Sequence, residues 1–204
     1  KDVFLDINDL ILDDFKNNLD ATKETKETYI KGVETPILNI SAISVRLLDE
    51  RLDLAEWQVE QFTRCLHKNE PLLERHFVAT SPAGHTLRVT AIRRLFAEHK
   101  ERMQVVYRIQ SVNYEGPITL LSLLRGEDTD KWYTLINHVG DDLCWHCAQL
   151  PVTNLQVCCA MNYRLTKNGM AVDKRPIKVE KQDVIGFSIT QIIKEGDVVE
   201  LTKN

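Results

Sequence analysis

The chain has 204 residues, in which 26 lysines and arginines face 30 aspartates and glutamates, so its formal net charge is −4. This balance is ordinary for a soluble protein and does not indicate binding to nucleic acid. Hydrophobic residues make up 43% of the chain, with only 8 glycines and 6 prolines, which excludes a collagen-like or largely disordered protein. A chain of this size can bury a core of its own.

Neither a membrane anchor nor a disulfide scaffold is expected. No apolar run approaches the roughly 20 residues that cross a bilayer. Residues 1–6 lack both an initiator methionine and the residue order of a secretory signal, so we expect a fragment of a larger protein. Five cysteines cannot all pair within one chain and are too sparse for a scaffold, which favours a reducing, cytoplasmic setting. We therefore expect reduced cysteines, packed or on the surface: Cys65, Cys144, Cys147, Cys158 and Cys159.

The pattern changes from helix-like to strand-like near Ile37. Residues 1–30 space leucines and phenylalanines among acids and lysines, with a charged run at 23–27, and predict a short helical or irregular segment. Beyond them, Ile43, Val45 and Leu47 alternate with other residues, as expected of a strand. Shorter strand-like bursts follow at 52–54 and 59–62.

The centre of the sequence predicts hairpins. Pro82-Ala83-Gly84 is a turn sequence between strand-like runs at 77–80 and 86–92. A polar loop is expected at 98–101. The runs 103–112 and 118–124, separated by Asn113-Tyr114-Glu115-Gly116-Pro117, predict a second hairpin.

The last third continues the strand pattern. Residues 155–165 alternate regularly and lead to Asn168-Gly169, the strongest short signal for a hairpin. Two further strands are predicted around a turn at 195–197, over 184–193 and 198–201. About a dozen antiparallel strands satisfy their edges best as two packed sheets, so we predict a mostly β sandwich. The absence of a linker or repeat favours one domain over residues 1–204, with the sandwich spanning 31–204.

The most specific chemical pattern is Cys144-Trp145-His146-Cys147 with Cys158-Cys159 downstream. These residues are candidates for a structural zinc site or a thiol redox pair. However, adjacent residues of a strand point to opposite faces, so Cys158 and Cys159 cannot both reach one ion without a bulge. Cys144 and Cys147 also face opposite ways in an extended segment. We therefore predict no metal and expect packed or surface cysteines instead.

The remaining polar residues do not identify a catalytic site. The histidines are scattered without metallopeptidase spacing, and no phosphate loop, dinucleotide fingerprint or serine-hydrolase elbow occurs. Glycosidase-type acid pairs remain open, although spacing cannot identify them. A basic cluster predicts either a sheet face whose arginines pair with acids or a site for an anion. Its members are Arg88, Arg93, Arg94, Lys100, Arg102 and Arg108.

A series of short motifs resembles the N-terminal domain of glycoside hydrolase family 65, the maltose, trehalose and kojibiose phosphorylases and related hydrolases. The motifs stand in the family's order across about a hundred residues. They are Thr28-Tyr29-Ile30-Lys31-Gly32-Val33 before Ile37-Leu38-Asn39-Ile40; Asp53-Leu54, Phe62, Arg64 and Leu66; Leu72-Leu73-Glu74-Arg75; Pro82-Ala83-Gly84, Arg88, Arg94-Leu95-Phe96 and His99; and Asn113-Tyr114-Glu115-Gly116-Pro117-Ile118. One departure is Leu124-Arg125-Gly126, where the family has Leu-Asp-Gly.

The resemblance implies an antiparallel β supersandwich similar to galactose mutarotase, attached in the full enzyme to an (α/α)6 barrel. In that family the barrel carries the catalytic acid and the phosphate or base site, and the sandwich packs against the barrel and contributes to dimer contacts. No catalytic residue and no cofactor is therefore expected in this chain. The alternative is a free-standing carbohydrate-binding or mutarotase-like sandwich, in which Trp57, Trp132 and Trp145 are candidate platforms for a sugar.

Overall fold

A computed structural model describes residues 39–125, 133–149, 154, 156–181 and 184–204. The segment predicted over residues 1–30 lies outside them. Every regular element in these ranges is a strand, and within them no helix of membrane-spanning length and apolarity occurs. The strands are β1 (Ile43–Leu47), β2 (Glu50–Arg51), β3 (Gln58–His67), β4 (Leu72–Thr80), β5 (Thr86–Phe96), β6 (His99–Ser111), β7 (Gly116–Arg125), β8 (Tyr133–Val139), β9 (Leu143–Gln149), β10 (Gln156–Lys167), β11 (Met170–Ala171), β12 (Ile177–Lys181), β13 (Val184–Ile193) and β14 (Val198–Lys203).

The strands form two antiparallel sheets, which confirms the predicted sandwich. The small sheet has the order β12-β13-β7-β1-β2. The large sheet has the order β3-β4-β5-β6-β14-β10-β9-β8, and β11 pairs with β10. Long neighbouring strands of 9 to 13 residues, β4, β5 and β6, form one half of the large sheet.

The core lies between the two sheets and follows from the period of two along each strand. In β1 the predicted alternation is confirmed, since Ile43, Val45 and Leu47 are buried at 5% exposure or less. They pack in one cluster with inward-facing residues of the large sheet such as Leu87 and Val89. Sheet-on-sheet burial of aliphatic side chains therefore supplies the main stabilisation.

The first predicted hairpin is confirmed, but the loop after it is shorter than predicted. Strands β4 and β5 pair from Leu72–Arg94 to Thr80–Thr86 around the turn at 82–84. The polar loop expected at 98–101 is wrong, because β6 begins at His99 and Phe96 pairs with His99. Polar residues are compatible with this strand because the pair of strands projects beyond the core and leaves their side chains in water.

The second predicted hairpin is wrong, because β6 and β7 belong to different sheets. The connection is a corner built on Tyr114, which is 2% exposed. The Tyr114 hydroxyl donates to the carbonyl of Pro117 at 2.9 Å, and Ser111 Oγ donates to the carbonyl of Tyr114 at 2.6 Å. The turn residues therefore direct the chain across the sandwich rather than back along the same sheet.

The Asn168-Gly169 hairpin is confirmed and is tied to the final turn. Both residues have positive φ, 52° and 79°, as a type I′ turn requires. Asn168 Nδ2 donates to Asp197 Oδ1 at 2.7 Å, and Lys167 Nζ lies 2.8 Å from Asp197 Oδ2. These contacts hold the pKa of Asp197 at about 2. The turn at 195–197 thus joins β13 of the small sheet to β14 of the large one.

Candidate functional site

The cysteine motif lies on β9 and β10, where Cys147 stands directly opposite Cys158. The two form a disulfide with a Cα–Cα distance of 4.1 Å. The expectation of reduced cysteines is therefore wrong for this pair, because the register of β9 on β10, which local sequence does not encode, brings the two side chains together. Cys158 is exposed, so the bond lies on the outer face of the large sheet.

The other two cysteines of the motif face the core, as the alternation predicts. Cys144 is fully buried and Cys159 is partly buried. Burial raises the pKa of each thiol to about 11, although Lys203 acts in the opposite direction. Because Cys158 and Cys159 point to opposite faces, they cannot share an ion. Among the residues that the structure describes, no three His, Cys, Asp or Glu side chains are grouped as metal ligands.

We expect the disulfide to stabilise the protein by about 3 kcal/mol. It closes a loop with a sequence separation of 11, and cross-linking a loop of this length lowers the entropy of the unfolded chain by roughly that amount. Thiol titration in denaturant without reductant should find three thiols, those of Cys65, Cys144 and Cys159. Urea unfolding of C147A/C158A should show the loss, whereas Cys65→Ser, at an exposed free cysteine, should not. Five titratable thiols without reductant would contradict the bond.

The candidate tryptophan platforms differ in how far they are covered. Trp57 is 4% exposed and belongs to the core cluster, so it offers no ring face to a sugar. Trp145 stacks against the ring of His138, with 3.9 Å between the ring centroids, which covers one of its faces. Trp132 lies outside the described residues.

Four histidines make hydrogen bonds or ion pairs with glutamates near the surface. Glu74 lies 3.4 Å from His67 and 2.9 Å from His76, and His85 lies 3.3 Å from Glu50. His99 lies 3.5 Å from Glu101. The buried His146 contacts Asn137 through Nδ1. These contacts orient side chains on the sheet.

A polar groove of about 450 Å³ runs over the outer face of β4, β5, β6 and β14. Cross-strand neighbours line it, because His76 pairs with Thr90, Thr90 with Arg108, and Arg108 with Glu200. Glu74 and Arg88 complete its polar lining, and Arg88 donates to Gln110 at 3.2 Å. Such a row of alternating donors and acceptors can hydrogen-bond hydroxyl groups, but no Phe, Tyr or Trp ring lines it.

The predicted basic cluster is divided between the two faces of the large sheet. Arg88, Arg94 and Arg108 occupy outward positions, whereas Arg93 faces inward with Val89 and Ala91. The expected pairing with acids is seen in this set only for Arg102, which lies 4.0 Å from Glu101 among the described residues. Arg93 instead belongs to a group that the sequence did not indicate.

That group, which we call the arginine cleft, consists of Arg64, Arg75, Arg93 and Tyr107 on the inner face of β3 to β6. Arg64 pairs with Arg75, and both Arg75 and Tyr107 pair with Ala91. Arg75, Arg93 and Tyr107 line a cavity of about 30 Å³, whose opposite wall is formed by β1 and the segments beside it. The cleft lies where the large sheet extends past the small one.

Positive charge is concentrated in the arginine cleft. Burial, together with the positive charges of Arg75 and Arg64, lowers the pKa of Arg93 to about 10. Burial raises the pKa of Tyr107, while Arg75 and Arg93 act in the opposite direction. Three guanidinium groups gathered on one face favour a bound oxyanion.

A second buried cation, Lys203, joins the two sheets near the end of the chain. It is 3% exposed. Its ammonium donates to the carbonyl of Ala42 at 3.4 Å and to that of Leu123. Burial lowers its pKa to about 7, against a weaker upward effect of the thiols of Cys144 and Cys159. No sequence pattern indicated this residue, since a lysine near a strand end is ordinarily solvated.

The chain matches the family model described as glycosyl hydrolase family 65, N-terminal domain, over residues 18–204. Solved structures match it as well. One of these, a putative kojibiose phosphorylase from human microbiome, aligns with a TM-score of 0.68 and 16% identity over 83% of this chain, and the alignment covers 22% of that protein. At this identity the likeness shows the fold alone. No curated protein matches the chain.

Proposed function

Because the chain belongs to glycosyl hydrolase family 65, whose N-terminal domain it matches over residues 18–204, we propose that it serves as the non-catalytic N-terminal domain of a glycoside phosphorylase or hydrolase acting on α-glucosides. The family match is the observation that carries the proposal. The fold supports it, since the sandwich aligns with 22% of the putative kojibiose phosphorylase, a much longer protein.

The proposal assigns the chemistry to a catalytic (α/α)6 barrel in the same polypeptide. There a carboxylic acid would protonate the leaving oxygen while phosphate or water attacks the anomeric carbon. Residues 31–204 form one domain in this proposal, in a cytoplasmic enzyme of carbohydrate metabolism. The domain packs against the barrel and contributes to a homodimer contact.

We expect the 204-residue chain to be inactive on α-linked glucosides. Catalysis needs an acid and a charge stabiliser held together around the reacting bond, and loss of both removes several orders of magnitude in rate. The chain is incubated with maltose, trehalose and kojibiose, with and without phosphate, and glucose and glucose 1-phosphate are assayed. The matched control is the longer polypeptide that includes the barrel, which should turn over one of these sugars.

The second candidate is a carbohydrate-binding sandwich, and the outer polar groove favours it. Glu74, Arg108 and Glu200 line a volume that a sugar ring could enter. Calorimetry of the chain with the same sugars would detect binding, and Arg108→Met should weaken it. Turnover above the buffer blank that is lost in Glu74→Gln or Glu200→Gln would place an active site in this groove and overturn the non-catalytic assignment.

A further inference from the structure

Strands β8 and β9 and the first half of β10 form the end of the large sheet that we call the flap, residues 133–149 and 156–162. Strand β14 pairs with β10 only over Tyr163–Lys167, and Asn162 exchanges backbone hydrogen bonds with Asn204 beside it. Over residues 156–161, β9 is the only described strand that pairs with β10, and β8 pairs with β9 alone. Strand pairing therefore joins the flap to the rest of the large sheet through the second half of β10.

The flap packs on the small sheet through a core cluster of its own. The buried members of this cluster come from the flap and from β7 and β13: Val139, Cys144, Met161, Leu124, Ile185 and Phe187. The main core is a separate and larger cluster, and Tyr163 packs against both. An exposed ion pair of Asp141 with Lys178, at 3.1 Å, adds little to this attachment. Because units that share few buried contacts open at lower free energy than the whole domain, we expect the flap to open before the main core.

The Cys147–Cys158 disulfide crosses the flap within the β9–β10 ladder. That ladder runs from the pair Gln149–Gln156 to the pair Leu143–Asn162, and the bond lies between these ends. While the bond is intact, β9 cannot separate from β10 at this point. Cys158 is exposed on the outer face of the sheet, where a soluble thiolate can reach it. The bond that holds the flap together is therefore open to thiol–disulfide exchange.

We propose that Cys147–Cys158 is a reversible modification site for a dithiol reductant, and that its reduction releases the β8–β9 hairpin from β10. One thiolate of the dithiol attacks Sγ of Cys158, which forms a mixed disulfide and expels the Cys147 thiolate, and this thiolate takes up a proton. The second thiolate of the dithiol attacks its own sulfur in the mixed disulfide and expels the Cys158 thiolate, which is protonated in turn. The dithiol leaves as a cyclic disulfide, oxidised by two electrons, and the protein gains two thiols. The hairpin is then held to β10 by the hydrogen-bonded ladder alone.

The thiol of Cys144 reports this release. It is a free cysteine of β9, fully buried in the core cluster of the flap and three residues before Cys147. Separation of β9 from β10 uncovers it to a soluble reagent. Cys65 of β3 is a free cysteine that is exposed outside the flap, so its reactivity is independent of the release.

The test follows labelling of each cysteine with N-ethylmaleimide by mass spectrometry, in the full 204-residue chain. The chain is labelled as the disulfide and after reduction with dithiothreitol, which is removed without oxygen. Reduction should raise the Cys144 rate about a hundredfold, because a cross-link with a sequence separation of 11 is lost, and should leave the Cys65 rate unchanged. The matched variant Cys147→Ser/Cys158→Ser lacks the bond and should label Cys144 at the faster rate with or without dithiothreitol.

Urea distinguishes release of the hairpin from unfolding of the whole chain. In the reduced chain, the logarithm of the Cys144 rate should rise with urea at less than about half the slope of global unfolding followed by circular dichroism, because only the surface of the flap is exposed. The proposal is overturned if dithiothreitol reduces the bond only in denaturant or if reduction leaves the Cys144 rate unchanged. It is also overturned if the Cys144 rate follows global unfolding at every urea concentration, because the bond would then stabilise the whole fold without controlling the flap.

Discussion

Gly186→Ala is expected to destabilise the protein by roughly 3–5 kcal/mol. Gly186 lies in β13 between β12 and β7, opposite Val179 and Leu123. Its φ is +149°, and a Cβ added there would lie 2.1 Å from the carbonyl oxygen of Ser122. It would also lie 2.8 Å from Met161 Cε and 3.0 Å from Leu123 Cα. Two of these three atoms are backbone atoms of a central strand, which cannot move without breaking the sheet.

Gly169→Ala is the matched control, because it changes the same residue type at positive φ, +79°, with no atom within 4 Å of the added Cβ. It should cost only about 1 kcal/mol, from the backbone conformation alone. Urea unfolding followed by circular dichroism gives both values. Equal losses in the two variants would show that close packing at Gly186 contributes nothing and that the β7–β13 contact is looser than the structure indicates.

Local patterns were sufficient to predict most of the long strands and two of the tight turns, although they did not indicate β8, β9 or β12. The alternation of Ile43, Val45 and Leu47 identifies both the strand and its buried face, because a half-buried strand has a period of two. Asn168-Gly169 identifies its turn because both positions need positive φ. In each case the determining interaction lies within a few residues of the chain.

Sheet membership could not be predicted in the same way. The residues around Tyr114 and those at 195–197 have turn chemistry, yet both connections carry the chain from one sheet to the other. Whether a turn reverses a strand within its sheet or crosses the sandwich depends on what its side chains bury. Tyr114 is buried at the corner, and that burial depends on the packing of both sheets.

The functional candidates were mostly missed for a related reason. Arg93 and Arg94 are neighbours in sequence but lie on opposite faces of β5. Arg93 can therefore be assigned to the cleft only once it is known which residues of the strand face inward. In β3 a bulge between Glu60 and Thr63, where Gln61 has a φ of 53°, changes which residues face inward. The pairing of Arg64 with Arg75 therefore depends on an irregularity that no local pattern indicated. The Cys147–Cys158 pair likewise depends on register.

Lys203 is expected to make the protein more stable as pH rises from 7 to 9. Its pKa in the folded protein is about 7, against an ordinary value of 10.5. In this window the unfolded chain binds a proton that the native chain does not, so the free energy of unfolding increases with pH. The gain should be about 2 kcal/mol over the two pH units. Below pH 7 the ammonium is charged in both states and the penalty of burying it is fully present.

Two neighbouring thiols set the upper limit of the pH range in which stability rises. Cys144 and Cys159 have pKa values of about 11 in the folded protein against an ordinary 9.0. Above pH 9 the unfolded thiols lose protons that the native ones keep, which lowers stability as pH rises. The stability curve should therefore flatten or turn downward above pH 9. The slope of the free energy of unfolding against pH between 7 and 9 therefore reports mainly on Lys203.

Lys203→Met tests the assignment by removing the titrating group while keeping an unbranched apolar side chain of similar length. The variant should lose the rise between pH 7 and 9, and it should be more stable than the original chain at pH 6, where the original must bury a charge. Lys181→Met, at an exposed position of β12, should keep the rise. Urea unfolding at fixed ionic strength measures all three curves. A flat curve for the original chain, or an unchanged slope in Lys203→Met, would contradict the prediction. It would mean that the carbonyls of Ala42 and Leu123 keep the ammonium charged in the core at neutral pH.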